Sequence, residues 1–401
     1  MQSPAELSQK LDSLVIFRHL LNDELISSLK NLTDCLYHGD EKSAVKNYGE
    51  FVSVLYSKGG CLTECIRRLI MEDDNIYVRR KAAEDEIPEY MEKCLDSELS
   101  IFSEIASLTK EDLADKIKFS GELAGWSCTP HDLKEEYKQR TNNLSKFGYG
   151  IYAKYSSFIV RDTSLVPVKY PDKISLSDLK DYENERKQII DNTRCLVEGK
   201  PSQNVLLTGD AGTGKSSTVK AVSNYFAPMG LRLVQITKNQ LHDLPVILDE
   251  LSSNPLKFII FIDDLSFSGN DDDFGALKAA LEGSVSAKSL NTAIYVTSNR
   301  RHMVKENFAD RNGDDLHYND TVQEITSLSD RFGLTVTYVK PDKKIYLDIV
   351  CSLAEQYNIK IDKDELCRGA EIFATRKGGR SPRSARQYID SVIAKYNTEA
   401  Q

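Results

Sequence analysis

Leu21, Leu25, Leu29, Leu32 and Leu36 recur every three or four residues, with polar residues between them, and so predict a helix with one buried face. Upstream, Ser3-Pro4-Ala5-Glu6 predicts a helix start, with a capping serine, a proline at the first helical position and a glutamate at the third. Val45, Tyr48, Val52 and Leu55 predict a further helix that stops at Gly59-Gly60. Residues 3 to about 145 read as all-helical, and the leucine stripe reads as bundle core.

The pattern changes at Phe147. Gly148-Tyr149-Gly150-Ile151-Tyr152-Ala153-Lys154-Tyr155, followed by Pro167 and Pro171, is a stretch of extended and turn signals and is expected to be a linker. Beyond it, apolar runs at 204–208, 231–236, 257–262, 292–297 and 334–339 alternate with helical segments. These runs are rich in β-branched residues and lack polar alternation, as parallel strands covered on both faces do. From Lys343 onward the pattern is helical again. The expected organisation is a helical domain over 1–146, a linker over 147–175, an α/β domain over 176–340 and a small helical lid over 341–401.

The chain has 401 residues, too many for one ordinary core, which agrees with several domains. Charged residues make up 28% and hydrophobic residues 40%, a globular composition. A formal net charge of -9 argues against a protein that coats nucleic acid through general electrostatics, although a local basic groove remains compatible with it. The first residues show no basic segment ahead of an apolar one, and the longest apolar run, near Phe258 to Ile262, is far too short to span a bilayer. A cytoplasmic protein with no membrane partner is expected. Eight cysteines occur without C-x-x-C pairs, Cys61 and Cys65 being four apart on a predicted helix, so reduced core cysteines are expected rather than zinc ligands.

One motif changes this picture. Gly209-Asp210-Ala211-Gly212-Thr213-Gly214-Lys215-Ser216 meets every position of the phosphate-binding loop G-x-x-x-x-G-K-[ST], between the predicted strand Asn204 to Thr208 and a predicted helix from Ser217 to Tyr225. Glycines let the backbone wrap closely around an anion, so that successive N–H groups and the positive end of the helix point at phosphates. Lys215 is expected to reach the terminal phosphates, Ser216 to hold a magnesium ion, and Ser217 to sit at the same helix end. ATP and Mg2+ are the expected ligands.

The strand at 257–262 runs into Asp263-Asp264, at the carboxyl edge where ligands collect on open parallel sheets. Asp263 is expected to anchor the metal, and Asp264 to orient or deprotonate an attacking water. The next strand ends in Thr297-Ser298-Asn299-Arg300-Arg301-His302, where Asn299 can hold that water from the opposite side. Arg300, Arg301 and His302 read equally well as surface cations.

Taken in order, the loop, the Asp-Asp strand end, the Thr-Ser-Asn strand end, Ser329-Asp330-Arg331-Phe332-Gly333 and Gly379-Arg380-Ser381-Pro382-Arg383 resemble Walker A, Walker B, sensor 1, arginine finger and sensor 2 of AAA+ ATPases. More narrowly, Asp263 to Phe267, Leu281-Glu282-Gly283, Thr297 to His302 and Ser327 to Leu334 resemble the bacterial group called Domain of Unknown Function 815, over roughly residues 147–393. The resemblance implies a five-stranded parallel core with a helical lid. It also implies that Arg331 enters the site of a neighbouring subunit, in a ring or helical homo-oligomer, and that Arg383 couples the lid to the nucleotide, with Arg380 and Arg386 as rivals. Two departures stand out: Asp264 replaces the usual glutamate, which implies slow hydrolysis, and Asp181, in the segment Leu179 to Glu183 expected beside adenine, stands where the group tends to have glycine. An ATPase working against an unknown protein or nucleic-acid partner is the first expectation. A nucleotide-gated adaptor is the second, and a small-molecule kinase would need neither the Arg331 motif nor a lid.

Overall fold

The computed structural model describes residues 4–129, 131–265, 272–282, 291–299 and 331–399, which divide into two compact units, Met1–Lys154 and Tyr155–Gln401. The expectations on Ser266, Phe267, Gly283, Arg300, Arg301, His302 and the segment from Ser327 to Asp330 lie outside the described residues.

In the first unit, α1 (Pro4–Asp12), α2 (Glu24–His38), α3 (Glu41–Ser57), α4 (Leu62–Met71), α5 (Ile76–Ala82) and α6 (Glu89–Ala106) are followed by the shorter α7 (Lys110–Ala114), α8 (Leu133–Thr141), α9 (Leu144–Phe147) and α10 (Ile151–Lys154). The predicted stripe is split: Leu21 belongs to a 3-10 turn over Arg18–Asn22, and Leu25, Leu29 and Leu32 are fully buried on α2. Asp23 ends that turn and caps α2 through the N–H of Leu25. Phe17, Phe51, Phe102 and Tyr137 fill the core, with Phe17 edge-on to both Phe102 and Tyr137. Glu98, on α6, is buried there with its carboxylate accepting hydrogen bonds from the backbone N–H groups of Val15, Ile16 and Phe17 at 2.7, 3.0 and 3.0 Å.

Among the described residues, the second unit is built on a sheet of seven strands, two more than expected. They are β1 (Ser157–Arg161), β2 (Ser164–Pro167), β3 (Val205–Gly209), β4 (Leu231–Ile236), β5 (Lys257–Ile262), β6 (Thr292–Ser298) and β7 (Leu334–Tyr338), in the spatial order β2-β1-β4-β5-β6-β3-β7. The five predicted runs are all present and parallel. The extra two come from the stretch read as linker: β1 joins β4 in parallel, and β2 folds back on β1 as an antiparallel edge. Between them Asp162 and Thr163 both take left-handed backbone angles, a two-residue turn.

Burial explains the five runs. Every residue of β3 is buried, and five of the six on β5, because α11 (Glu183–Val197), α12 (Lys215–Phe226), α13 (Leu244–Ser252) and α14 (Asp272–Glu282) alternate with the strands along the chain. Val205, Leu207, Val219, Ile259, Phe261 and Tyr295 share one core. A lid of three helices follows, α15 (Lys343–Gln356), α16 (Lys363–Arg376) and α17 (Pro382–Glu399), with its own core of Tyr346, Val350, Leu366, Ala370 and Ile389.

Candidate functional site

β3 ends at Gly209, beside the last residue of β7, Tyr338. A Cβ on Gly209 would lie 1.9 Å from the carbonyl oxygen of Tyr338, and the residue has φ +129, so only glycine lets the chain leave the sheet here. The turn from Asp210 to Gly214 then feeds α12, whose first residue is Lys215. Gly214, at φ +96, supplies the left-handed step into the helix.

This geometry buries the lysine. Lys215 is 5% exposed, and its ammonium donates to the carbonyl oxygens of Gly209 and Asp210, both at 2.8 Å, and to Oδ1 of Asn299 at 2.9 Å. Burial lowers its pKa from the ordinary value, while Asp210, Asp264 and Asp263 pull the other way. Next to it, Ser216 Oγ donates to Asp263 Oδ1 at 2.6 Å, and the same oxygen accepts from Thr297 Oγ1 at 2.6 Å. Thr297 Oγ1 also accepts from the N–H of Asp264 at 2.8 Å. Thr297 was visible only as part of a strand end; its spacing along the chain carried no sign that it would tie both aspartates to β6.

Asp264 has φ +53, the left-handed region that aspartate enters more readily than most non-glycine residues. Its carboxylate accepts from the Asn299 amide at 2.5 Å. Asn299 thus bridges Lys215 and Asp264 from the end of β6.

These groups open on a cleft of about 490 Å³. Ala211, Gly212, Thr213, Gly214, Lys215, Ser216 and Ser217 line its floor, with Asp263, Asp264, Thr297 and Asn299 to one side. Asp178, Leu179, Lys180, Tyr182 and Arg186 line another wall, and Ile349, Leu353, Arg383, Arg386 and Gln387 come from the lid. Asp181 and Tyr182 both adopt left-handed angles, φ +64 and +61, the region a glycine enters without cost, and the Arg186 guanidinium donates to the Asp181 carbonyl. Arg186, Ile349 and Leu353 belong to helix faces that motif reasoning passed over.

The lid touches the loop directly. The N–H of Arg383 donates to the Gly212 carbonyl at 3.2 Å, so this arginine sits at the cleft mouth. Arg386 also lines the cleft and stacks on Tyr357 at 5.1 Å, whereas Arg380 is turned away in a two-bond ion pair with Glu371, at 2.9 and 2.7 Å. Arg331 is elsewhere. It precedes Leu334, which pairs with Val205 at the start of β3, whereas Gly209 pairs with Tyr338 at the other end; Arg331 therefore stands at the edge of the sheet opposite the loop of its own chain.

A glycine-rich loop between a buried strand and a helix, with a buried lysine, a serine on a carboxylate and a C-terminal helical segment beside it, defines a P-loop fold. Residues 153–396 match the family described as "Protein of unknown function (DUF815)", and the chain belongs to that family. Among solved structures, the Thermotoga maritima RuvB Holliday junction branch migration motor is similar at 14% identity and a TM-score of 0.33, covering 54% of this chain and 72% of that one. Two single-substitution variants of Thermotoga maritima RuvB give 14% identity and TM-scores of 0.34, covering 54% and 55% of this chain and 72% of theirs. No curated protein matches the chain. No described helix is long and apolar enough to cross a membrane.

Proposed function

We propose that the chain binds Mg-ATP in this cleft and hydrolyses it slowly. The observation that carries the reading is the Ser216 Oγ to Asp263 Oδ1 contact at 2.6 Å, one residue from the buried Lys215 ammonium. A hydroxyl and a carboxylate at that spacing are the hard oxygen donors that suit magnesium, and a compact cation beside a curl of backbone N–H groups suits a triphosphate. Ser216 and Asp263 would hold the metal ion, which when bound would supply positive charge beside the phosphates. Lys215 would exchange its three present acceptors for phosphate oxygens. Asp264, with Asn299 beside it, would orient and deprotonate the attacking water.

Arg383 and the lid would close over the nucleotide, and Arg331 would serve the site of an adjacent copy in a ring or helical homo-oligomer. Its position at the far edge of the sheet supports action in a neighbour over action in its own site. The unidentified partner, protein or nucleic acid, would receive the movement of the lid and helical unit. A cytoplasmic setting fits this chemistry.

The Asp264–Asn299 contact at 2.5 Å favours a second reading, a nucleotide-gated adaptor, because it occupies the carboxylate needed as base, and an aspartate reaches one bond less than a glutamate. Steady-state turnover with candidate partners separates the two. A remodelling ATPase shows stimulated hydrolysis; an adaptor stays near one slow event for each binding cycle.

A further inference from the structure

Cys351 on α15 and Cys367 on α16 hold their sulfurs 3.9 Å apart across the lid, and both side chains are partly exposed free thiols. A disulfide needs about 2.05 Å between sulfurs, so closure brings the two sulfurs together by roughly 2 Å, through turning of the side chains and approach of the two helices. The direction of that movement matters. At about 100° per residue, Ile349 and Leu353 lie on one face of α15, and Cys351 lies about 180° from the midline between them. Ile349 and Leu353 line the nucleotide cleft, so Cys351 is on the face of α15 turned from it.

We propose that Cys351 and Cys367 form a reversible redox switch, in which oxidation to a disulfide draws α15 toward α16 and away from the cleft, weakening ATP binding. The effect on affinity rests on the nucleotide-binding reading above; the pairing of the thiols does not. Burial raises the Cys351 thiol, which fits it to remain protonated and act as the second, resolving partner.

With hydrogen peroxide as oxidant, the Cys367 thiolate attacks one peroxide oxygen. The O–O bond breaks, hydroxide leaves and takes up a proton as water, and the sulfur becomes a sulfenic acid. The Cys351 sulfur then attacks that sulfur, the S–O bond breaks, and the departing hydroxide leaves as a second water with the Cys351 proton. Two thiols and one peroxide give one disulfide and two waters, with two electrons passing from sulfur to oxygen.

The test uses the full chain, treated with one equivalent of hydrogen peroxide, mapped without reduction, and titrated with ATP and magnesium in both redox forms. A peptide linking Cys351 to Cys367 is expected, together with a dissociation constant at least threefold weaker, restored by dithiothreitol. Cys351→Ser and Cys367→Ser should each bind ATP like the reduced parent and be insensitive to peroxide. Failure to find the linked peptide while other thiols have reacted overturns the proposal, as does a linked protein with unchanged affinity. A reduced protein that binds no ATP sinks the nucleotide reading and the affinity effect together, while the linked peptide still decides whether these thiols pair.

Discussion

Glu98 in the helical unit and Lys215 in the α/β unit are sealed to the same degree, at 3% and 5% exposure, yet the fold uses them differently. Glu98 accepts from three consecutive backbone N–H groups and has nothing left to offer a ligand. The Lys215 ammonium rests on two backbone carbonyls and on Asn299 at the floor of an open cleft, where its partners can be exchanged for phosphate oxygens. A buried charge enclosed on all sides by backbone holds a fold together; one met at the floor of an open cleft is available for chemistry.

The contrast makes testable demands, and the largest falls on Arg331. As a group acting on an adjacent copy, Arg331→Ala should lower turnover by about three to five decades without weakening ATP binding. Mixing it with Asp264→Asn should restore part of the activity in a steady-state phosphate-release assay, and no recovery at any ratio would count against a shared site. Asp264→Asn alone should keep ATP bound and slow hydrolysis by about two to four decades. An asparagine variant that turns over like the parent would remove Asp264 from its role as base.

The third demand compares the two charges. Lys215→Ala should weaken ATP binding at least about 100-fold, since it removes a charge-assisted set of hydrogen bonds, and should leave the helical unit's melting in place. Glu98→Ala should do the converse. It leaves three backbone donors without an acceptor, two of them in the buried residues Ile16 and Phe17, and should destabilise the helical unit by about 3 kcal/mol or more in denaturant titration, with ATP affinity retained. Loss of nucleotide binding in the glutamate variant would erase the distinction between the two regions.

The smallest effect concerns pH. Burial pushes the hydroxyls of Tyr295 and Tyr338 up from 10.0 to about 12. The folded state holds these protons more tightly than the unfolded one, so their contribution is intact below pH 10 and is lost as pH rises through about 12. Tyr338→Phe should flatten part of that loss in alkaline melting curves; an unchanged slope would show that Tyr338 has no part in it.

The sequence disclosed the elements that are buried on both faces and hid those that are not. The runs at 231–236 and 257–262 coincide with β4 and β5 because short, mostly apolar runs containing β-branched residues suit strands covered on both faces. β1 and β2 escaped because they are five and four residues long, lie at one end of the sheet, and turn at Asp162-Thr163 instead of a glycine-containing pair. The site divides in the same way. Lys215, Ser216, Asp263, Asp264 and Asn299 were legible because loop spacing and strand ends put them together. The left-handed pair at Asp181-Tyr182, the Thr297 bridge and the lid wall of Ile349 and Leu353 depend on contacts between segments far apart in the chain, which no local pattern encodes.

Calorimetric titration of the full reduced chain with ATP and magnesium bears most directly on the phosphate cradle around Lys215. Saturable binding of one nucleotide per chain, absent in Lys215→Ala, is the predicted result. A flat titration of the parent protein, or an alanine variant that binds as tightly as the parent, would contradict it.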